Sequence, residues 1–152
     1  MKTTVRVEGL KQMREALLQL PKATGRNVVR RALRKAGEPM ADAMKGRVPV
    51  EEGHLRNSIG VSTKLSKRQR TLHKKRSEVE VFVGPGPDPA AHLVEFGSIH
   101  NQARPYVRPA WDTRKLEALE TVQKELAVEI DKAAQRLARK AARLAAKKAV
   151  GG

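Results

Sequence analysis

The 152-residue sequence contains no cysteine and only four aromatic residues: two phenylalanines, one tyrosine and one tryptophan. Without cysteine there can be no disulfide, no thiolate nucleophile and no cysteine zinc site. Apolar residues make up 39%, and 20 of them are alanine. Little large side-chain surface is therefore available to bury at about 25 cal/mol per Å². A modest core is expected, and a large enzyme-like interior is not. No run of about 18 apolar residues occurs, which excludes a membrane-spanning helix. The first seven residues are basic but lack the apolar stretch of a secretory signal, so synthesis in the cytosol is the expectation. Acid is also in short supply: 16 Asp and Glu face 32 Lys and Arg, a formal charge of +16. That field attracts polyanions and repels copies of the same chain.

Catalytic chemistry is missing as well. The only imidazoles are His54, His73, His92 and His100. None lies in an HExxH pattern, and the spacing of His92 and Glu95 by itself does not make a metal site. Ser58 and Ser98 lack a nucleophile-elbow context. Gly84-Pro85-Gly86 is stiffened by its neighbouring prolines and cannot wrap a phosphate. Glu51 and Glu52 are adjacent and so do not face each other as an acid and base pair. No catalytic residue, cofactor or metal ligand is assigned.

What the chain does contain is helical periodicity and clustered positive charge. Residues 3–7 read as a short strand. Leu10, Met13, Leu17 and Leu20 then fall on one helix face, ended by Pro21. A second helix from about residue 23 carries the stripe Val29, Leu33, Ala36, Met40 and Met44. Gly37-Glu38-Pro39 interrupts it, so a kink or a fresh helix start is expected there. Ile59, Val61, Thr63 and Leu65 alternate as a strand, as do Val79, Val81 and Val83, and the two are expected to pair as a hairpin. Their connection, residues 64–77, carries Lys64, Lys67, Arg68, Arg70, Lys74, Lys75 and Arg76 with no acid. It reads as a long solvated loop and a candidate contact element. A turn at residues 84–89 leads to a short helix over 90–96 ending at Gly97. Residues 104–109, punctuated by Pro105 and Pro109, read as extended.

From residue 110 the pattern is helical as far as Gly151. Leu119, Leu126, Ala133 and Lys140, interleaved with Gln123, Ile130, Leu137 and Leu144, form a weak heptad seam. About 40 residues at 1.5 Å each give a rod of roughly 60 Å, too long for a domain with a radius of gyration near 15 Å. Residues 113–152 are therefore expected to form a basic, alanine-rich helical arm bearing Arg136, Arg139, Lys140, Arg143, Lys147 and Lys148, beside a core at 1–112. No zinc finger or helix-turn-helix is present, and stacking aromatics are nearly absent, so any DNA contact would be electrostatic and independent of sequence.

Two stretches carry a resemblance. Val48-Pro49-Val50-Glu51-Glu52-Gly53-His54-Leu55-Arg56-Asn57-Ser58-Ile59 is similar to the helix-exit motif of the head-to-tail joining, or tail-completion, proteins of long-tailed bacteriophages. Ala91-His92-Leu93-Val94-Glu95-Phe96-Gly97-Ser98, followed by Arg104-Pro105-Tyr106-Val107-Arg108-Pro109-Ala110-Trp111-Asp112, resembles the second signature of that neck family. Glu52 and Ser98 stand where the family commonly has threonine. Beside the resemblance, the residues have a plain reading. Gly53 supplies a positive-φ turn, Leu55 and Ile59 enter the sheet, Phe96 anchors the core, and Glu95, Arg104 and Arg108 pair within or between subunits.

The resemblance implies an α+β fold: a small antiparallel or mixed β-sheet packed on a long kinked helix, with a long C-terminal helix. It further implies a homo-oligomeric ring, six-fold by expectation, at the head–tail junction of a tailed phage, prophage or gene-transfer particle. Such a ring joins the tail-tube or tail-terminator protein to the head-completion, stopper or connector protein. The expected location is the virion neck, with assembly in the host cytoplasm. Gly53, Leu55, Arg56, Glu95, Phe96, Gly97, Arg104, Pro105, Arg108 and Pro109 are the candidate subunit or neck-partner residues. The basic loop could meet genomic DNA in the channel or a neighbouring protein. A channel through which DNA slides quickly should not grip it, which favours the protein. The alternative is a nonspecific, nucleoid-type DNA-binding protein, for which the net charge and the alanine-lysine tail are suited.

Overall fold

The computed structural model describes residues 9–51 and 53–151, so the strand expected at 3–7 lies outside the described residues. Helix α1, Leu10–Gln19, ends before Pro21, and α2 runs from Lys22 to Lys45. Two short helices, α3 (His54–Ser58) and α4 (Lys67–Leu72), flank strand β1 (Gly60–Ser62). Strand β2 (Phe82–Gly84), α5 (Ala90–Phe96) and α6 (Val107–Val150) complete the described chain. The architecture is mostly helical, with one small sheet.

The frame is the pairing of α2 with α6. Arg31 bonds Glu129 and Lys35 bonds Glu125 at 2.7 Å, so the two helices run antiparallel. One core cluster joins Met40, Ala41 and Met44 of α2 to Val48, Leu55, Ile59, Tyr106 and Ala110. A second joins Val28 and Ala32 to Leu126 and Ala133, with Met13, Leu17 and Leu20 covering it. In its first half, α2 therefore turns Val28 and Ala32 inward and leaves Val29 and Leu33 half-buried.

Gly37-Glu38-Pro39 does not start a new helix. Pro39 sits inside an uninterrupted α2. Gly37 serves a different purpose, because the hairpin rests on it: a Cβ there would lie 2.7 Å from Val83 Cγ2 and 3.1 Å from Val61 Cγ2. Only a residue without a side chain lets the two valines approach this closely.

The hairpin is antiparallel as expected, with Val61 opposite Val83, but each strand is only three residues long. Thr63, Leu65 and Val79 lie beyond the ladder. The connection expected to be an open loop contains α4 instead. Ser66 accepts the N–H of Gln69 while the Gln69 side chain accepts the N–H of Ser66, a reciprocal cap that satisfies two otherwise unpaired donors. The seam of α6 is used through Leu126 and Ala133, with Ile130 and Leu137 half-buried, and every described residue from 138 onward is exposed. The helix crosses residues 112 and 113 without a break.

Candidate assembly interface

The second motif folds into a clasp that starts α6. An α-helix leaves its first four backbone N–H groups without partners inside the helix. In α6 these belong to Tyr106, Val107, Arg108 and Pro109. The Glu95 carboxylate accepts the first three, at 2.7 Å from Tyr106, 2.9 Å from Val107 and 3.2 Å from Arg108. Pro109 has no N–H to satisfy. One side chain and one proline thus settle the whole helix start. A carboxylate at this end also faces the positive pole of the helix dipole.

Burial of Glu95 works against its ionisation, but the three backbone donors and the nearby Arg108 charge outweigh it and hold its pKa below the ordinary value. Beneath it, Tyr106 is fully buried and its hydroxyl donates to the Ala91 carbonyl at 3.3 Å. Burial first, then the charges of Glu95 and Asp88, push the phenol pKa up to about 12.

The return from α5 to α6 depends on Gly97. Its φ is 79°, and a Cβ would fall 2.8 Å from the Ala103 nitrogen. Farther round the loop, the Arg104 N–H donates to the Val94 carbonyl at 2.8 Å, and Ser98 Oγ accepts the N–H groups of His100 and Asn101. Pro105 is exposed. The extended segment ends at Pro105, because Arg108 and Pro109 already lie in the first turn of α6. Proline is tolerated there, where no hydrogen bond is lost.

Three side-chain expectations change. Glu95 pairs with backbone rather than with an arginine. The guanidinium of Arg108 instead lies over the Phe96 ring, 5.0 Å from its centroid, and His92 meets that ring edge-on. Phe96 is not a core anchor: it is 60% exposed, because Tyr106 occupies the core position beneath the clasp. Phe96 lines an open groove of about 910 Å³ together with Arg68, Leu72, Pro87, His92 and Arg108. Leu72, at the end of α4, is 81% exposed. Trp111 and Leu116 follow on α6, both more than half exposed.

In the first motif, Gly53 has the expected positive φ of 78° and precedes α3, and Arg56 is exposed. Leu55 lies in α3 and Ile59 caps it; both are buried, but neither enters the sheet as expected, because β1 begins only at Gly60. The basic connection brings Lys67, Arg68 and Arg70 onto α4, with Lys64 before it and Lys74, Lys75 and Arg76 after it, all exposed. Glu80 ties the far side down, accepting the Arg76 N–H at 2.7 Å and contacting His73 Nε2 at 2.8 Å. The structure therefore brings Arg68 of the basic connection beside Phe96 and Arg108 of the motif. It leaves the cations beyond Leu137 on the exposed part of α6. Tyr106, Leu72 and the Glu95 cap were not singled out from the sequence. A lone tyrosine in a chain poor in aromatics was the available signal for the first of these.

Among the described residues, no three His, Asp or Glu side chains gather as metal ligands, and no helix is long and apolar enough to cross a membrane.

A family model described as "Bacteriophage HK97-gp10, putative tail-component" matches residues 11–97. The chain belongs to the HK97-gp10-like family. The match covers α1 through the Glu95-Phe96-Gly97 turn and stops before α6. No curated protein and no solved structure matches the chain.

Proposed function

We propose that this HK97-gp10-like chain is a structural virion protein that closes into a ring at the head–tail junction, joining the tail tube to the head-completion complex around the DNA channel. The observation that carries this reading is the groove beside the clasp. Phe96 and Leu72, large apolar side chains in a chain that has few, stand exposed over a rigidly built helix start. Exposed apolar patches of this kind mark interaction sites, and arginine and aromatic residues are enriched at interface centres. Cyclic symmetry lets each copy bury the same pair of patches against its neighbours.

Charge sets the conditions. Each copy carries +16, so ring closure is opposed by self-repulsion and helped by salt or an acidic partner. The direct test is electron microscopy of particles assembled with the wild-type chain and with a Phe96→Ala, Leu72→Ala variant. A ring at the neck that the variant fails to form supports the reading. A wild-type chain found as a monomer in intact particles, or elsewhere in the tail, defeats it.

A further inference from the structure

The cations of this protein are not evenly neutralised. On α2, Arg31 and Lys35 meet Glu129 and Glu125 of α6, while Lys22 and Arg26 both meet Glu78. Past Asp131 the sequence has seven basic residues and no acidic one. The first of the seven, Lys132, still lies 3.7 Å from Glu129. Beyond it, Arg136, Arg139, Lys140, Arg143, Lys147 and Lys148 have no carboxylate partner among the described residues, and all are exposed.

Their angular placement is more telling than their number. At 3.6 residues per turn, successive residues are about 100° apart around the axis. Five of these six cations then fall within an arc of roughly 100°, a single stripe roughly 17 Å long at 1.5 Å per residue, and Lys148 lies about 80° outside it. The core-facing seam of Leu126, Ile130, Ala133 and Leu137 lies about a quarter-turn away, so packing on α2 leaves the stripe open.

We infer that this stripe is a binding face for the phosphate backbone of double-stranded DNA, read without regard to sequence. The stripe itself is arginine and lysine; around it stand alanines and the exposed Leu144 and Val150, and no aromatic side chain. Protein interfaces rely on aromatic and other apolar anchors, and apart from Leu144 and Val150 an acidic protein surface would find little here to bury. A duplex needs only closely spaced cations, since it carries one charge per roughly 1.7 Å of axis. The one nearby amide, Gln135, is bonded to Asp131 at 2.9 Å. Contact of this kind permits sliding.

The test uses the isolated full chain, so it does not depend on ring closure at the neck, and sedimentation of each variant checks that its assembly state is unchanged. Binding to a random-sequence duplex is measured across a salt series. A variant with Arg136, Lys140, Arg143 and Lys147 all changed to Gln keeps strong helix formers at each position, and circular dichroism confirms the helix. It should bind about tenfold more weakly or worse, with a log–log salt slope shallower by about 3 to 4 units. A Lys67→Gln, Arg68→Gln, Arg70→Gln variant on α4 should leave the slope within about one unit of wild type. The inference is overturned by any of three results: an unchanged slope in the α6 variant, an equal loss in the α4 variant, or tighter wild-type binding to poly-glutamate than to duplex. The last would assign the stripe to an acidic protein.

Discussion

The Glu95 carboxylate accepts the backbone N–H of Tyr106 at 2.7 Å across eleven residues of chain. The same carboxylate also takes the next two N–H groups, while Pro109 fills the one position that has none to offer. Glu95→Ala leaves up to three donors at a largely buried helix start without a partner, at about 2 to 3 kcal/mol. Glu95→Gln retains acceptor oxygen but loses the charge, so a smaller loss is expected. Thermal or urea unfolding of the two variants checks the order.

Acid should expose the same contact. Glu95 and Glu129 both have folded pKa values lowered from the ordinary 4.5. For Glu129 the principal cause is the hydrogen bond from Arg31. A depressed carboxylate pKa contributes stability that is fully present above the unfolded value and is lost as pH falls through the folded one. Stability should therefore be level with respect to these groups from about pH 6 to 8 and decline below about pH 4.5. Urea midpoints at several pH values test this, and Glu95→Gln should flatten part of the acid decline.

Two glycines should resist substitution for different reasons. Gly97→Ala places a Cβ 2.8 Å from backbone at a positive φ, and a loss of about 2 kcal/mol or more is expected. Gly37→Ala gains about 1 kcal/mol of helix propensity but collides with methyl groups of Val83 and Val61. Overpacking at about 1 to 3 kcal/mol should leave it destabilised. Val83→Ala in the Gly37→Ala background should recover part of that loss, measurable as coupling in a double-mutant cycle.

Phe96→Ala separates stability from assembly. The ring is largely exposed, with Arg108 and His92 as its neighbours, so unfolding should change by about 1 kcal/mol or less. Self-association, followed by sedimentation against protein concentration, should weaken by about tenfold if this side chain sits at the contact.

The helices were legible in the sequence because period and punctuation agree over long stretches. Leu10, Met13 and Leu17 repeat on one face before Pro21, and α5 stops at Gly97. Pro39 does not start a new helix, because packing on both flanks of α2 carries the helix through a residue that removes one backbone hydrogen bond. In the 64–77 connection, dense positive charge masks the Ser66 and Gln69 cap that builds α4 inside it. Glu95 was marked as a motif residue, but its role depends on a contact eleven residues away, made by backbone, which no side-chain pattern encodes. The scarcity of large apolar groups points to Phe96 as an interior residue, but the buried position goes to Tyr106, whose hydroxyl finds the Ala91 carbonyl.

Because α6 is unbroken from the clasp to Val150, the clasp and the acid-free end are fixed to each other in phase as well as in distance. Deleting a single residue near Ala134 would shorten the helix by only about 1.5 Å but swing everything beyond it through about 100°. Insertions of seven or eleven residues would nearly preserve the facing. Length variation in this segment should therefore be tolerated in steps close to whole turns.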